Sequence, residues 1–104
     1  MTQVMPVAGV APPDAASIDA FVDALWLEHG LAANTLAAYR RDLQGYVSSM
    51  QGSSLNASTQ VDLEAYFTAQ HATTKASTAN RRLTVLKRYF RWAMREGLIT
   101  RDPT

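Results

Sequence analysis

The chain has 104 residues, 47% of them hydrophobic and 18% charged, which gives room for one ordinary globular domain and too little for two. It contains no cysteine, which excludes disulfides, thiolate zinc sites and cysteine nucleophiles, and no apolar run approaches the roughly 18 residues that point to a membrane span. The net charge of +1 hides a division: residues 1–74 carry two arginines against seven acids, a net −5, whereas residues 75–101 carry eight cations against Glu96 alone, a net +7. Such asymmetry points to a polyanionic partner.

The opening MTQVMPVAGVAPPDAA has no Lys or Arg and is interrupted by Pro6, Pro12 and Pro13. It lacks the basic start and unbroken apolar stretch of a secretory signal. Residues 1–16 are therefore expected to be a disordered leader outside the fold.

Four helical segments follow, and none alternates as a half-buried strand would. Ser17 is placed to cap a first helix that ends at His29, with Gly30 as its left-handed stop. Ile18, Phe21, Val22 and Leu25 give it one apolar stripe. Asn34 caps a second helix over about residues 35–50, followed by Gly52, with the stripe Leu36, Tyr39, Leu43, Tyr46, Val47 and Met50. A third helix starts near Thr59, which forms a capping-box pattern with Asp62 and precedes Val61, Leu63, Tyr66 and Phe67. Ser77 is placed to cap the longest helix, which ends at Glu96 with Gly97 as the stop. Four amphipathic helices need a common core, so the predicted fold is all-α, a compact four-helix bundle with a disordered leader, its domain spanning residues 17–100.

The fourth helix carries the functional signal. At 100° per residue, Ala79, Leu83, Leu86, Phe90, Ala93 and Met94 form one apolar face. The opposite flank gathers Asn80, Arg81, Thr84, Lys87, Arg88, Arg91 and Arg95 without an acid among them. A merely solvated helix interleaves Glu with its cations, because i,i+4 pairs of opposite sign stabilise it. Here Lys87–Arg91 and Arg91–Arg95 are like-charged i,i+4 pairs, each costing a few tenths of a kcal/mol in the free protein. A row of phosphates would relieve that repulsion. Asn80, Arg81 and Thr84 suit base edges and phosphates near a helix N-terminus. The alternative is a helical interaction module whose basic face docks an acidic protein.

Two stretches, FVDALWLEHGLAANTLAAYRRDL and TANRRLTVLKRYFRWAMREGLITRDP, together resemble the N-terminal core-binding (SAM-like) domain of the XerC/XerD family of tyrosine recombinases, the first lying nearest its XerD branch. The resemblance covers about residues 17–104. It implies a four-helix bundle that forms one arm of a clamp on a recombination half-site (dif-like double-stranded DNA) and acts with partner subunits in a tetrameric synapse. It further implies that the second and fourth helices face DNA and that the first takes part in subunit contacts. Carried onto this chain, the DNA-facing positions are Asn34, Thr35, Arg40 and Arg41, then Thr78, Asn80, Arg81, Arg82, Thr84, Lys87 and Arg88; Arg91 and Arg95 join them from the cationic flank. Arg82 projects near the apolar edge and is expected to pair with an acid or pack its stem. Arg40, Arg41, Lys87 and Arg88 are assigned to phosphates, and Asn80, Arg81 and Thr84 to the major groove.

Catalysis in that family rests on a tyrosine nucleophile with arginines, a lysine and histidines in a separate C-terminal domain. Tyr39, Tyr46, Tyr66 and Tyr89 all fall within predicted helices, and His29 and His71 lie outside any Arg-rich cluster. No His-x-x-Arg pattern, paired carboxylates or metal-ligand spacing occurs. The chain is thus expected to hold no active site, cofactor, metal or small-molecule ligand. Residues 101–104, with Asp102-Pro103, are expected to begin a linker to an absent catalytic domain, in a cytoplasmic protein. A phage or mobile-element integrase with the same domain is the alternative within the family.

Overall fold

Two prolines open the first helix instead of breaking the chain. In a computed structural model, which describes residue 10, residues 12–50 and residues 52–104, helix α1 runs Pro12–His29. Proline is tolerated in the first helical turn, where its missing N–H would have no partner in any case. The expectation that residues 1–16 form a leader therefore fails over residues 12–16; its remainder, residues 1–9 and 11, lies outside the described residues. Val10 belongs to the core, and Asp14 is only 3% exposed. The Asp14 carboxylate accepts hydrogen bonds from the Leu55 backbone N–H (3.1 Å) and the Ser54 hydroxyl (3.3 Å). Ser17 is consequently mid-helix, not a cap, and its hydroxyl accepts from the Asn56 amide at 3.4 Å.

Helix α2 spans Ala33–Ser49, a short 3₁₀ turn spans Leu55–Ala57, α3 spans Gln60–Gln70 and α4 spans Ala76–Arg95. No strand occurs among the described residues. Gly30 (φ 60°) and Gly97 (φ 74°) take the left-handed stops assigned to them. The capping box of α3 is present: the Asp62 N–H donates to Thr59 Oγ1 at 3.2 Å, and the Thr59 N–H donates to Asp62 Oδ2 at 2.9 Å. Asn34 and Ser77 cap nothing; the N-caps of α2 and α4 are Ala32 and Lys75, neither with a side-chain cap bond.

The core draws on all four helices. Ile18, Phe21, Val22 and Leu25 of α1 meet Leu36, Leu43, Tyr46 and Val47 of α2, Leu63 and Tyr66 of α3, and Val85, Leu86, Tyr89, Phe90 and Ala93 of α4. Leu55 of the 3₁₀ turn is fully buried with them. The radius of gyration, 13.4 Å, is what a compact domain of this length should have. On α4 the buried face is rotated from the expected stripe. Val85 and Tyr89 are central to it, whereas Met94 is exposed. Tyr89 buries its ring because its hydroxyl has a partner, donating to Asn56 Oδ1 at 2.6 Å. Val61, counted as apolar support for α3, is also exposed.

Candidate nucleic-acid interface

Helices α2 and α4 lie side by side with their polar flanks in register. Arg81 donates from Nε to Asp42 Oδ2 and from Nη2 to Asp42 Oδ1, both at 3.0 Å, and Arg88 lies over the Tyr39 ring at 5.8 Å. Residue numbers thus fall along α2 as they rise along α4, so the helices run roughly antiparallel. At these two points the expected DNA-facing residues Arg81 and Arg88 of α4 meet Asp42 and Tyr39 of α2, neither of them an expected DNA-facing position.

The cationic row is partly neutralised by acids from other helices. The Asp42 hydrogen bonds, and then its charge, hold Arg81 above the usual guanidinium range. Arg82 also approaches Asp42 (Nε to Oδ1, 3.8 Å) and donates from Nη1 to Gln70 Oε1 of α3. That is the structural pairing expected for it, and it leaves Arg82 half-buried. Arg95 donates from Nη2 to both Glu28 oxygens at 3.0 Å and to Glu96 at 3.3 Å. Arg40 is paired with Asp19 of α1. Exposed ion pairs of this kind contribute little stability and are screened by salt. Their effect here is to remove Arg95 and Arg40 from the free positive charge of the surface.

Lys87, Arg91 and Arg41 are exposed and have no carboxylate within ion-pair distance among the described residues. Arg88, Arg91 and Arg95 also line a cleft of about 370 Å³ between α1 and α4, floored by Phe21, Leu25 and Trp92. Asn80 is exposed, and Thr84 is exposed with its hydroxyl donating to the Asn80 carbonyl at 3.0 Å, leaving its lone pairs free to accept. Asn34 is exposed and Thr35 half-buried in the first turn of α2; Thr78 is half-buried in the first turn of α4. Because neither helix has a side-chain N-cap, first-turn N–H groups are left for an external acceptor. Arg95 lies fourteen residues beyond Arg81, about 21 Å along the helix axis, and so stands apart from the first turn of α4.

Sequence reasoning missed Asp42. It sits beside Arg41 in the YRRD run and reads as one more surface acid, but its side chain is only 7% exposed. The signal that could have found it is its helical position: Asp42 directly precedes the core residue Leu43, on the flank that turns towards α4.

Three of the tyrosines, Tyr46, Tyr66 and Tyr89, are buried in the core. Tyr46 donates to Ser58 Oγ at 2.8 Å, Tyr66 packs edge-on against Tyr46 with centroids 5.1 Å apart, and Tyr89 packs edge-on against Phe21 at 5.3 Å. Burial raises the pKa of Tyr46 and of Tyr66, and pushes Tyr89 up to about 12. Between pH 10 and 12 the unfolded chain gives up the Tyr89 proton before the folded one, so stability falls as pH rises through that window and is complete below pH 10. Urea denaturation at several alkaline pH values should show this decline, and Tyr89→Phe should make it shallower, leaving the part that Tyr46 and Tyr66 contribute. Phenolate absorbance following an ordinary phenol for all three buried rings would contradict their burial.

No helix of the described residues is long and apolar enough to cross a membrane. The class that fold and surface define is a small helical bundle presenting a cationic helix flanked by uncapped helix ends. The chain belongs to the family described as the phage integrase N-terminal SAM-like domain, which matches residues 18–97. It is 52% identical over 107 residues to the tyrosine recombinase XerD of Ralstonia nicotianae, covering 100% of this chain and 35% of that protein. It is 42% identical to the XerD of Proteus mirabilis over 90 residues (84% of this chain, 29% of that one). It is 41% identical to the XerD of Pseudomonas aeruginosa over 92 residues (84% and 30%). The chain therefore spans about a third of the length of these curated relatives. No solved structure matches it.

Proposed function

We propose that this chain is the DNA-binding N-terminal domain of a XerD-like tyrosine site-specific recombinase, clamping one recombination half-site during strand exchange in chromosome dimer resolution. The observation that carries this reading is the row Lys87, Arg88 and Arg91 on α4, exposed and without carboxylate partners among the described residues, with Arg88 over Tyr39 of α2. A helix keeps adjacent like charges at a cost, and the phosphate backbone is the partner that repays it through counterion release. In this reading Lys87, Arg88, Arg91 and Arg41 fix the register on phosphates. Asn80, Thr84 and the free donors of Arg81 face base edges, and the first turns of α2 and α4, with Asn34, Thr35 and Thr78, meet phosphate oxygens. Arg40, Arg82 and Arg95 support the helices that carry these groups. The relatives named as tyrosine recombinases, of whose length this chain matches about a third, support placing catalysis in the remainder of a longer protein; this reading has that protein act with partner recombinase subunits in the cytoplasm.

The test is fluorescence anisotropy of the chain on a labelled dif-like half-site duplex and on a scrambled duplex, across a salt series. Salt-sensitive binding that favours the half-site is expected. Arg81→Ala should reduce that preference by the equivalent of about 1–3 kcal/mol, the usual worth of a bidentate base contact. Equal binding to both duplexes would sink the claim of sequence recognition, and no binding at low salt would favour the acidic-protein alternative.

A further inference from the structure

The bidentate grip of Asp42 on Arg81 has a consequence for recognition. A guanidinium has five N–H donors arranged on two usable edges. Asp42 takes the edge made by Nε and one Nη2 hydrogen. The other edge, made by Nη1 and the second Nη2 hydrogen, has no partner among the described residues. That is the edge able to reach O6 and N7 of a guanine end-on in the major groove. The carboxylate is itself held: its side chain is 7% exposed, whereas that of Arg81 is 48% exposed, and Arg82 approaches it from the α3 side at 3.8 Å while bonding Gln70. A free surface arginine would have to give up its rotamer freedom on meeting a base; one clamped beforehand has already done so.

Resting on the assignment of Arg81 as a base reader, we infer that Asp42 is a specificity-determining positioning residue, which clamps one edge of the Arg81 guanidinium from α2 and thereby aims the other edge from α4 at a guanine. Asp42 should also act against non-specific binding. Its negative charge beside Arg81 cancels attraction to a generic phosphate, so the pair gains from DNA mainly where a base edge is offered. A merely structural ion pair would behave differently, weakening binding to every sequence alike when broken.

The experiment measures wild type, Asp42→Asn, Asp42→Glu and Arg81→Ala on the half-site and scrambled duplexes by anisotropy, with helical content followed by circular dichroism. Asp42→Asn is expected to lower the half-site preference about tenfold while raising affinity for the scrambled duplex severalfold, because a negative charge has been removed near the phosphates. Asp42→Glu keeps the charge but displaces the carboxylate by one methylene. It should lower the preference and leave scrambled-duplex affinity unchanged, and it carries the test if the Asn variant loses helicity. In an Arg81→Ala background, Asp42→Asn should cause no further loss of preference. Full preference retained in folded Asp42→Asn or Asp42→Glu, or an equal loss on both duplexes, overturns the positioning role. If Arg81→Ala keeps the preference, the base-reading assignment fails first; if Arg81→Ala loses it and the Asp42 variants do not, only the positioning role fails.

Discussion

Phe21→Ala is expected to destabilise the fold by about 3–5 kcal/mol, the usual range for emptying a buried aromatic site. Phe21 has no exposed surface and sits where α1 meets α4, edge-on to Tyr89 at 5.3 Å and tilted against Trp92 at 5.6 Å. Its truncation removes both aromatic contacts and leaves a void that backbone on two helices would have to close. Domains of this size hold about 5–15 kcal/mol in total, so the loss is a large fraction of what keeps the chain folded. At roughly 4–8 °C per kcal/mol for a small domain, Tm should fall by more than about 12 °C. Trp92 reports the same event independently. Its indole N–H is buried with no hydrogen-bond partner among the described residues, so water admitted beside it would bind there. Loss of Phe21 should wet that indole and shift its fluorescence to the red. Val61→Ala, at a site 70% exposed, should stay within about 0.5 kcal/mol of wild type. A Phe21→Ala change that small would mean that the α1–α4 contact is not where the core lies.

What was legible in the sequence was what is decided locally. The Thr59–Asp62 box and the Gly30 and Gly97 stops are set by neighbours within four residues, and each stands where its pattern put it. The apolar stripes of α1 and α2 were equally plain, because every residue in them is aliphatic or aromatic. Errors came where a distant residue decides. Pro12 and Pro13 look like breakers until Asp14 is seen to hold the Leu55 N–H from forty-one positions away, which draws the start of α1 into the fold. The α4 stripe was rotated because Tyr89 buries its ring only if Asn56, thirty-three positions away, accepts its proton. The cationic flank was legible as a flank, but its counter-ions were not, since Asp42 and Glu28 come from α2 and α1. Spacing along one helix reveals i,i+4 partners and says nothing about partners across a helix interface. The candidate interface is therefore smaller and more structured than the run of arginines implies, with its free charge concentrated at Lys87, Arg88 and Arg91 of α4 and Arg41 of α2.

That concentration sets the largest expected effect on binding. Lys87→Ala/Arg91→Ala removes two exposed cations four residues apart on α4, neither held by a carboxylate among the described residues. If each neutralises one phosphate, the slope of log K against log salt should become less negative by about 1.8, at about 0.9 per contact. With the two proteins converging near 1 M salt, where counterion release no longer drives binding, that difference corresponds to roughly a 60-fold loss of affinity at 0.1 M. The loss should be the same on half-site and scrambled duplexes, since phosphates carry no sequence, and this separates these positions from Arg81 and Asp42. Stability should move the other way. Alanine is the best helix former, and the substitutions remove like-charge repulsion within α4, so the free domain should gain a few tenths of a kcal/mol. Weaker, less salt-sensitive binding by a slightly more stable protein is an outcome that damage to the fold cannot imitate. An unchanged salt slope would place the phosphate-binding face elsewhere on the bundle.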